Sequence, residues 1–359
     1  MKIAIVHEWL VANGGSEKVL SELVALFPQA DVFTLVDFLS TEERHAILGS
    51  KIPRTSFIQH LPLARKHFRH YLPLFPRAVA SYDLSDYDLI VSSSSAFAKG
   101  IRRHPGQRHV CYCHTPMRYA WDLFDEYTLP LPQPKRFLAR AVLRRLRRWD
   151  LETAGNVDTF IANSTFVQER IRRLYGRDAH VIHPPVATEL FTLRREKEEF
   201  YLTAGRLVPY KKTRLIVEAF NRMPERRLVV LGTGEELGLL HKIAGSNITL
   251  MGHQPDEVLI DMLQRARAFL FAAEEDFGIL PVEAMACGTP VIAYGKGGAR
   301  DTVIEGLSGI FFGEQNPESI ESAVKRFEQM RFSPLEISRY AQKFSRRRFR
   351  AEMKKLFDL

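Results

Sequence analysis

Three features of the 359-residue chain predict an α/β protein made of two doubly wound parallel-sheet domains. Short apolar runs alternate with stretches of helical period, the alternation stops at His183-Pro184-Pro185-Val186, and it then starts again. Glycines and charged residues follow several of the apolar runs, at the strand ends where such sheets bind ligands.

In the first half, Ile3 to His7 reads as a buried strand, and Gly14-Gly15-Ser16 opens a helix running to Leu26. Asp88 to Ser92 and Thr159 to Ala162 read as further strands, the second followed by an Asn163-Ser164 cap and a helix over 165–175. The double proline and the charged stretch Arg194 to Glu199 suit a linker, which places the domain boundary at 184/185. In the second half, strands are predicted at 200–204, 228–231, 248–251, 268–271 and 291–293. Helices are predicted over 212–221, 257–266 and 317–330, with another containing Glu283. The expected second domain is 185–335, and residues 336–359 read as one basic helix packing back toward the first domain. The two domains are expected to face a central cleft.

Composition narrows the class. Apolar residues make up 45% of the chain, and no apolar run reaches the length of a spanning helix. The chain opens directly into a strand, which predicts no cleaved leader, and three cysteines suit a reducing compartment. Cys111, Cys113 and His114 form a C-x-C-H cluster, but a fourth metal ligand is not evident. The net charge of +9 is uneven: residues 1–183 carry 25 Lys and Arg against 18 Asp and Glu. Arg65, Lys66, Arg69 and Arg77 fall within 63–77; Lys135, Arg136, Arg140, Arg144, Arg145, Arg147 and Arg148 fall within 135–148. Leu138, Val142 and Leu146 lie four apart on one helical stripe of the second segment. Basic amphipathic segments suit an anionic membrane surface; the alternative is a solvated face whose stripe packs on its own domain. No nucleic-acid fold motif accompanies the charge, so no nucleic-acid partner is expected.

The chemistry gathers on four loops. Gly14-Gly15 follows the first strand, where small residues let backbone amides approach a phosphate. Cys113-His114-Thr115-Pro116 follows another strand. Gly205-Arg206, with Lys211 five residues on, follows the first strand of the second domain and offers two positive charges to a diphosphate. Glu275 and Glu283 flank a Phe277-Gly278-Ile279-Leu280 turn whose amides open a helix. Asp86-Tyr87-Asp88 has the form of a metal-binding acidic triad, but it precedes a strand rather than ending one.

Together these loops resemble the retaining glycosyltransferases of family four, whose fold is GT-B and whose donors are nucleotide sugars. The resemblance covers nearly the whole chain: Gly14, Gly15 and Glu17; His114-Thr115-Pro116; Asn163-Ser164; Pro184-Pro185-Val186; Gly205-Arg206 with Lys211; Gly232-Thr233-Gly234; Glu275 with Glu283; and Cys287-Gly288-Thr289-Pro290. The wording over 114–122 and 275–279 is most similar to WbaZ-like mannosyltransferases of bacterial surface polysaccharide synthesis. The resemblance implies that Arg206 and Lys211 hold the donor diphosphate, assisted by amides of Gly15 and of Phe277 to Leu280. It implies that Glu275 binds hexose hydroxyls, Glu283 the ribose, and His114 the donor sugar from the other domain, with no metal or other cofactor. It further implies GDP-mannose as donor, a polyprenyl-diphosphate-linked saccharide as acceptor, and a peripheral position on the cytoplasmic face of the plasma membrane through 63–77 and 135–148. Base contacts are expected near Gly252-His253-Gln254. Two positions depart from the family pattern: Asp276 replaces a glycine, with the following proline one place later, and Ala187 replaces an acidic residue.

Overall fold

The computed structural model describes residues 1–358. They form two compact units, Met1–Pro184 together with the chain from Glu352 onward, and Pro185–Ala351. Each unit contains one sheet, and every strand pairing in both sheets is parallel.

The first unit holds β1 (Ile3–His7), β2 (Asp31–Thr34), β3 (Arg54–Thr55), β4 (Leu89–Ser94), β5 (Arg108–Cys113), β6 (Thr159–Ala162) and β7 (Ala179–Val181). Their order across the sheet is β3-β2-β1-β4-β5-β6-β7. The central strands are apolar because helices cover both faces, as parallel sheets require. The order reverses between β1 and β4, where His7 lies beside Ser93 in register. Gly14 starts the helix Gly15–Leu26, and the Glu17 carboxylate accepts from the Gly14 amide at 3.0 Å. The helix Thr165–Tyr175 begins on Ser164, whose hydroxyl accepts from the Val167 amide, and ends on Gly176 in the left-handed region.

The long helix Gln133–Ala154 corrects one detail of the predicted stripe. Its buried side runs through Leu143, Leu146, Asp150 and Ala154, while Leu138 stays exposed and Val142 is only half buried. A pattern four residues apart drifts around a helix of 3.6 residues per turn, so its first member leaves the core. The buried Asp150 pairs with buried Lys99, and its other oxygen accepts from Trp121 and Tyr175. That fully bonded pair ties the helix to the turn after β4.

The second unit holds β8 (Phe200–Ala204), β9 (Arg227–Leu231), β10 (Ile248–Gly252), β11 (Ala268–Phe271), β12 (Val291–Tyr294) and β13 (Gly309–Phe312). Their order is β10-β9-β8-β11-β12-β13, with the reversal between β8 and β11. The predicted single terminal helix is instead two, Pro334–Ala341 and Arg346–Phe357, separated by a 3-10 turn at Gln342–Phe344. Ser333 caps the first of these, and Phe344 in the turn is buried edge-on against Phe277 at 5.8 Å between centroids. Burying that pair, each worth about 1.5–3 kcal/mol, favours the break over a continuous helix. At the other end Phe357 packs edge-on against Phe27 at 5.0 Å.

Candidate active site

In the second unit the predicted donor-site residues collect at the reversal between β8 and β11. The loop after β8 carries Gly205 and Arg206 and runs into the turn Pro209–Lys211. It is seated backbone to backbone on Gly232-Thr233-Gly234, which follows β9: the Leu207 amide donates to the Thr233 carbonyl at 2.8 Å. A Cβ on Gly232 would lie 1.8 Å from the Gly205 oxygen, so only glycine permits this seating. Gly232 also donates to the Gly252 carbonyl at 2.7 Å, which brings the strand end preceding His253 and Gln254 to the same edge.

The loop after β11 carries Glu274 to Gly278 and opens the helix Ile279–Ala286. Gly278 has φ 90°, and the Phe271 ring fills the space where its side chain would be. Phe277 is buried, while Glu275, Asp276, Ile279 and Leu280 are half buried. Glu283 lies deeper, buried in the helix. The Ser338 hydroxyl, on the helix Pro334–Ala341, donates to the Ala286 carbonyl at 2.8 Å and braces that helix from behind.

Lys211 and Glu275 are 64 positions apart in sequence, and the structure pairs them directly, Nζ to Oε1. Burial and the Arg206 guanidinium pull the Lys211 ammonium from its ordinary 10.5 down to about 8. Arg206 is exposed and donates to the Tyr210 hydroxyl at 3.1 Å. The arrangement is a two-cation end and a carboxylate end side by side. It suits a ligand with an anionic diphosphate next to a group rich in hydroxyls.

One supporting loop escaped the sequence reading. Gly295-Lys296-Gly297-Gly298 follows β12, and the Gly298 amide donates to the Glu275 carbonyl at 2.8 Å. Cβ atoms on Gly297 and Gly298 would lie 2.6 Å from the Glu275 oxygen and 2.4 Å from the Phe277 Cα. The signal was present as three glycines in four residues directly after an apolar run.

In the first unit, Gly14, Gly15 and His114 also gather at their own sheet's reversal. His114 follows β5, and its Nε2 lies 2.8 Å from the Ser93 hydroxyl at the end of β4. Ser93 in turn meets His7 Nδ1 at 3.0 Å, and His7 Nε2 lies 3.5 Å from Glu17 Oε1. Burial and the neighbouring His7 push the His114 pKa down to about 3, so its ring is neutral at physiological pH. Burial raises the Glu17 carboxyl, but the His7 bond and charge, together with Ser16 and its own amide, outweigh it and hold the group low. His7 and Ser93 were not singled out from sequence: His7 sits inside a strand-like run, and Ser93 lies in a serine run just past the strand read to Ser92. Glu8 was also missed. Its buried carboxylate accepts from the Ser94 hydroxyl and from the amides of Ser95 through Ala98.

The other candidate ligands are used structurally. Cys111 and Cys113 are free thiols buried in the apolar core beside Val167 and Ile171. Asp88 accepts from the Lys2 amide, Asp86 pairs with the Lys2 ammonium, and the Tyr87 hydroxyl donates to Asp31. Among the described residues no three His, Cys, Asp or Glu side chains are grouped as a metal site would need.

Residues 13–190 match the family described as Glycosyltransferase Family 4, and residues 189–344 match Glycosyl transferases group 1. D-inositol 3-phosphate glycosyltransferase of Xylanimonas cellulosilytica is 29% identical over 239 residues, 55% of this chain and 57% of the relative. The protein of the same name in Mycobacterium tuberculosis is 26% identical over 269 residues, 63% of this chain and 56% of the relative. The chain thus spans little more than half the length of these relatives. The structure of Anabaena HepE with UDP and glucose superposes with a TM-score of 0.72 at 18% identity, covering 100% of this chain and 99% of the other. Sucrose-phosphate synthase from Thermosynechococcus elongatus gives 0.72 at 19% identity, covering 100% and 98%. With two Rossmann-like sheets and both family matches laid end to end over residues 13–344, the chain belongs to the family 4 glycosyltransferases of GT-B fold.

Proposed function

We propose that this chain is a retaining hexosyltransferase that takes its sugar from a nucleotide diphosphate donor. The observation that carries the reading is the Lys211–Glu275 pair at the β8/β11 reversal, beside Arg206. Arg206 and Lys211 are assigned to the donor diphosphate, whose charge grows as the glycosidic C–O bond breaks. Glu275 is assigned to hexose hydroxyls, Glu283 to the ribose, and His114 to the donor sugar. Backbone amides of Gly14, Gly15 and the Phe277–Leu280 turn are assigned to the phosphates. The acceptor hydroxyl attacks on the face that the leaving phosphate departs from and passes its proton to the departing phosphate oxygen, so no protein nucleophile enters and Glu275 is not one. The two cations carry the leaving-group charge, so the reading assigns no metal.

Within this reading the donor is GDP-mannose and the acceptor a saccharide on a polyprenyl diphosphate, as in WbaZ-like mannosyltransferases. A UDP-sugar is the second reading, favoured by the likeness over the whole chain to Anabaena HepE, whose structure holds UDP and glucose. Thermal shifts with GDP, UDP and ADP separate the two. Stabilisation greatest with GDP supports GDP-mannose; stabilisation greatest with UDP replaces it. Glu275→Ala and Lys211→Ala are expected to lower sugar transfer at least 100-fold while the fold stays intact by circular dichroism. Near-normal transfer by both variants would remove the assigned site.

A further inference from the structure

Four polar side chains of the first unit form one continuous chain from the glycine loop to His114. Glu17 Oε2 accepts from the Gly14 amide at 3.0 Å and the Ser16 hydroxyl at 2.8 Å, and Oε1 faces His7 Nε2. His7 Nδ1 faces the Ser93 hydroxyl, which faces His114 Nε2. His7 and Ser93 are buried, and Glu17 is 5% exposed. The Asn163 side chain donates to the His114 carbonyl at 2.8 Å, which holds the residue in place. Among the described residues, none bonds His114 Nδ1.

The proton inventory of this chain leaves few arrangements. An ionised carboxylate only accepts, so the proton on the Glu17 side sits on His7 Nε2. If His7 is neutral, its Nδ1 is bare and takes the Ser93 hydroxyl proton. The Ser93 oxygen then accepts from His114 Nε2–H, and His114 Nδ1 is a bare acceptor. If His7 is protonated, it donates from both nitrogens. The Ser93 proton then turns to His114 Nε2, and the single proton of neutral His114 moves to Nδ1.

We propose that Glu17, His7 and Ser93 are positioning residues that set the hydrogen-bonding sense of His114 Nδ1: acceptor while His7 is neutral, donor once His7 is protonated. The groups facing His7 are Glu17 from the helix Gly15–Leu26, Ser93 from β4 and His114 from the end of β5. The carboxylate of Glu8, next in the chain, is occupied by the amides of Ala96 and Phe97. Glu17 and His114 are held ionised and neutral, respectively, so the relay has one proton to gain. The consequence for transfer rests on the reading that His114 meets a sugar hydroxyl: in its acceptor state Nδ1 takes that hydroxyl's proton in a hydrogen bond and orients the sugar.

Ring-nitrogen NMR of the ¹⁵N-histidine-labelled full chain tests the relay without substrate. Variants His7→Asn and His114→Asn assign the two rings. In the wild type, His114 is expected to carry its proton on Nε2 at high pH and on Nδ1 once His7 has titrated. Ser93→Thr keeps the coupling, and Ser93→Ala leaves His114 unresponsive to His7. A His114 tautomer that ignores His7 titration in the wild type, or follows it equally in Ser93→Ala, overturns the proposal. Transfer kinetics report separately on the sugar reading. Ser93→Ala is expected to lose about tenfold in kcat/KM, the scale of one hydrogen bond, with Ser93→Thr near wild type. The expected NMR behaviour of wild type and Ser93→Ala, together with a kcat/KM that Ser93→Ala leaves unchanged, keeps the relay and removes its link to the sugar.

Discussion

Lys211 shows how one residue's surroundings set a working range. An ammonium that is half buried beside a guanidinium binds its proton less firmly than in water, which is why its pKa falls to about 8. In the proposed donor site, Lys211 below that pH is a cation that would hold the diphosphate; above it the charge is lost, and Arg206 remains alone. The rate of sugar transfer at low donor concentration is therefore expected to fall about tenfold per pH unit above pH 8. Stability has the opposite sign. Between the folded value near 8 and the ordinary 10.5, the unfolded chain binds more protons at this site, so the Lys211 contribution to stability rises with pH there. Lys211→Arg separates charge from titration, because a guanidinium stays protonated throughout. Its pH profile is expected to lose the fall near 8 whatever its absolute rate. A wild-type profile flat to pH 9.5 would mean that Lys211 does not titrate in the reacting enzyme.

At the scale of elements, the loops bearing the chemistry are positioned by glycine contacts more than by side chains. Gly298 has ordinary helical backbone, so its role is space alone: a Cβ would lie 2.4 Å from the Phe277 Cα and 2.5 Å from the Asp276 oxygen. Gly298→Ala is expected to destabilise the chain by about 1–3 kcal/mol, the usual cost of overpacking. It should also weaken nucleotide binding, because the Glu275 loop must move to make room. Gly313→Ala, which meets open space, should change neither. Denaturant unfolding and nucleotide thermal shifts measure both effects. The strands and the helix openings around this loop were legible because they depend on local pattern: Ala268 to Phe271 is apolar throughout, and Ser164 caps as its type suggests. What was not legible depends on groups distant in sequence. The Lys211–Glu275 and Lys99–Asp150 pairs join residues 64 and 51 positions apart, and nothing in either local sequence names the partner. The terminal helix break was hidden for a similar reason. Residues 342–345 contain no helix breaker such as proline or glycine; the break accompanies Phe344 reaching Phe277, a backbone bridge in which Val186 bonds Phe344 and Arg346, and a Ser345 hydroxyl that accepts from the Arg348 amide.

For the whole molecule the governing quantity is charge, +9 overall and concentrated in the first unit. No helix among the described residues is long and apolar enough to cross a membrane. Under the proposed reading the two basic segments would meet an anionic membrane surface. Phe68 and Phe75 anchor the first, and Leu143 and Leu146 the second, in one apolar cluster of the first unit. Outside that cluster each segment exposes apolar side chains among its cations: Leu63 is 71% exposed, Phe137 78% and Leu138 65%. Such side chains lie mostly outside the packed unit, and beside Arg65, Lys66, Lys135 and Arg144 they would suit an interface of acyl chains and anionic headgroups. Each cation near such a surface contributes about 1 kcal/mol, and the contribution fades as salt shortens the screening length. Co-sedimentation with liposomes is therefore expected to require anionic lipid and to decline as salt is raised. Phe137→Ser with Leu138→Ser should weaken it further while leaving nucleotide thermal shifts unchanged, since neither residue belongs to the donor site. Binding that ignored anionic lipid content would mean that the exposed face of the helix Gln133–Ala154 is merely solvated, and the proposed lipid-linked acceptor would lose this support.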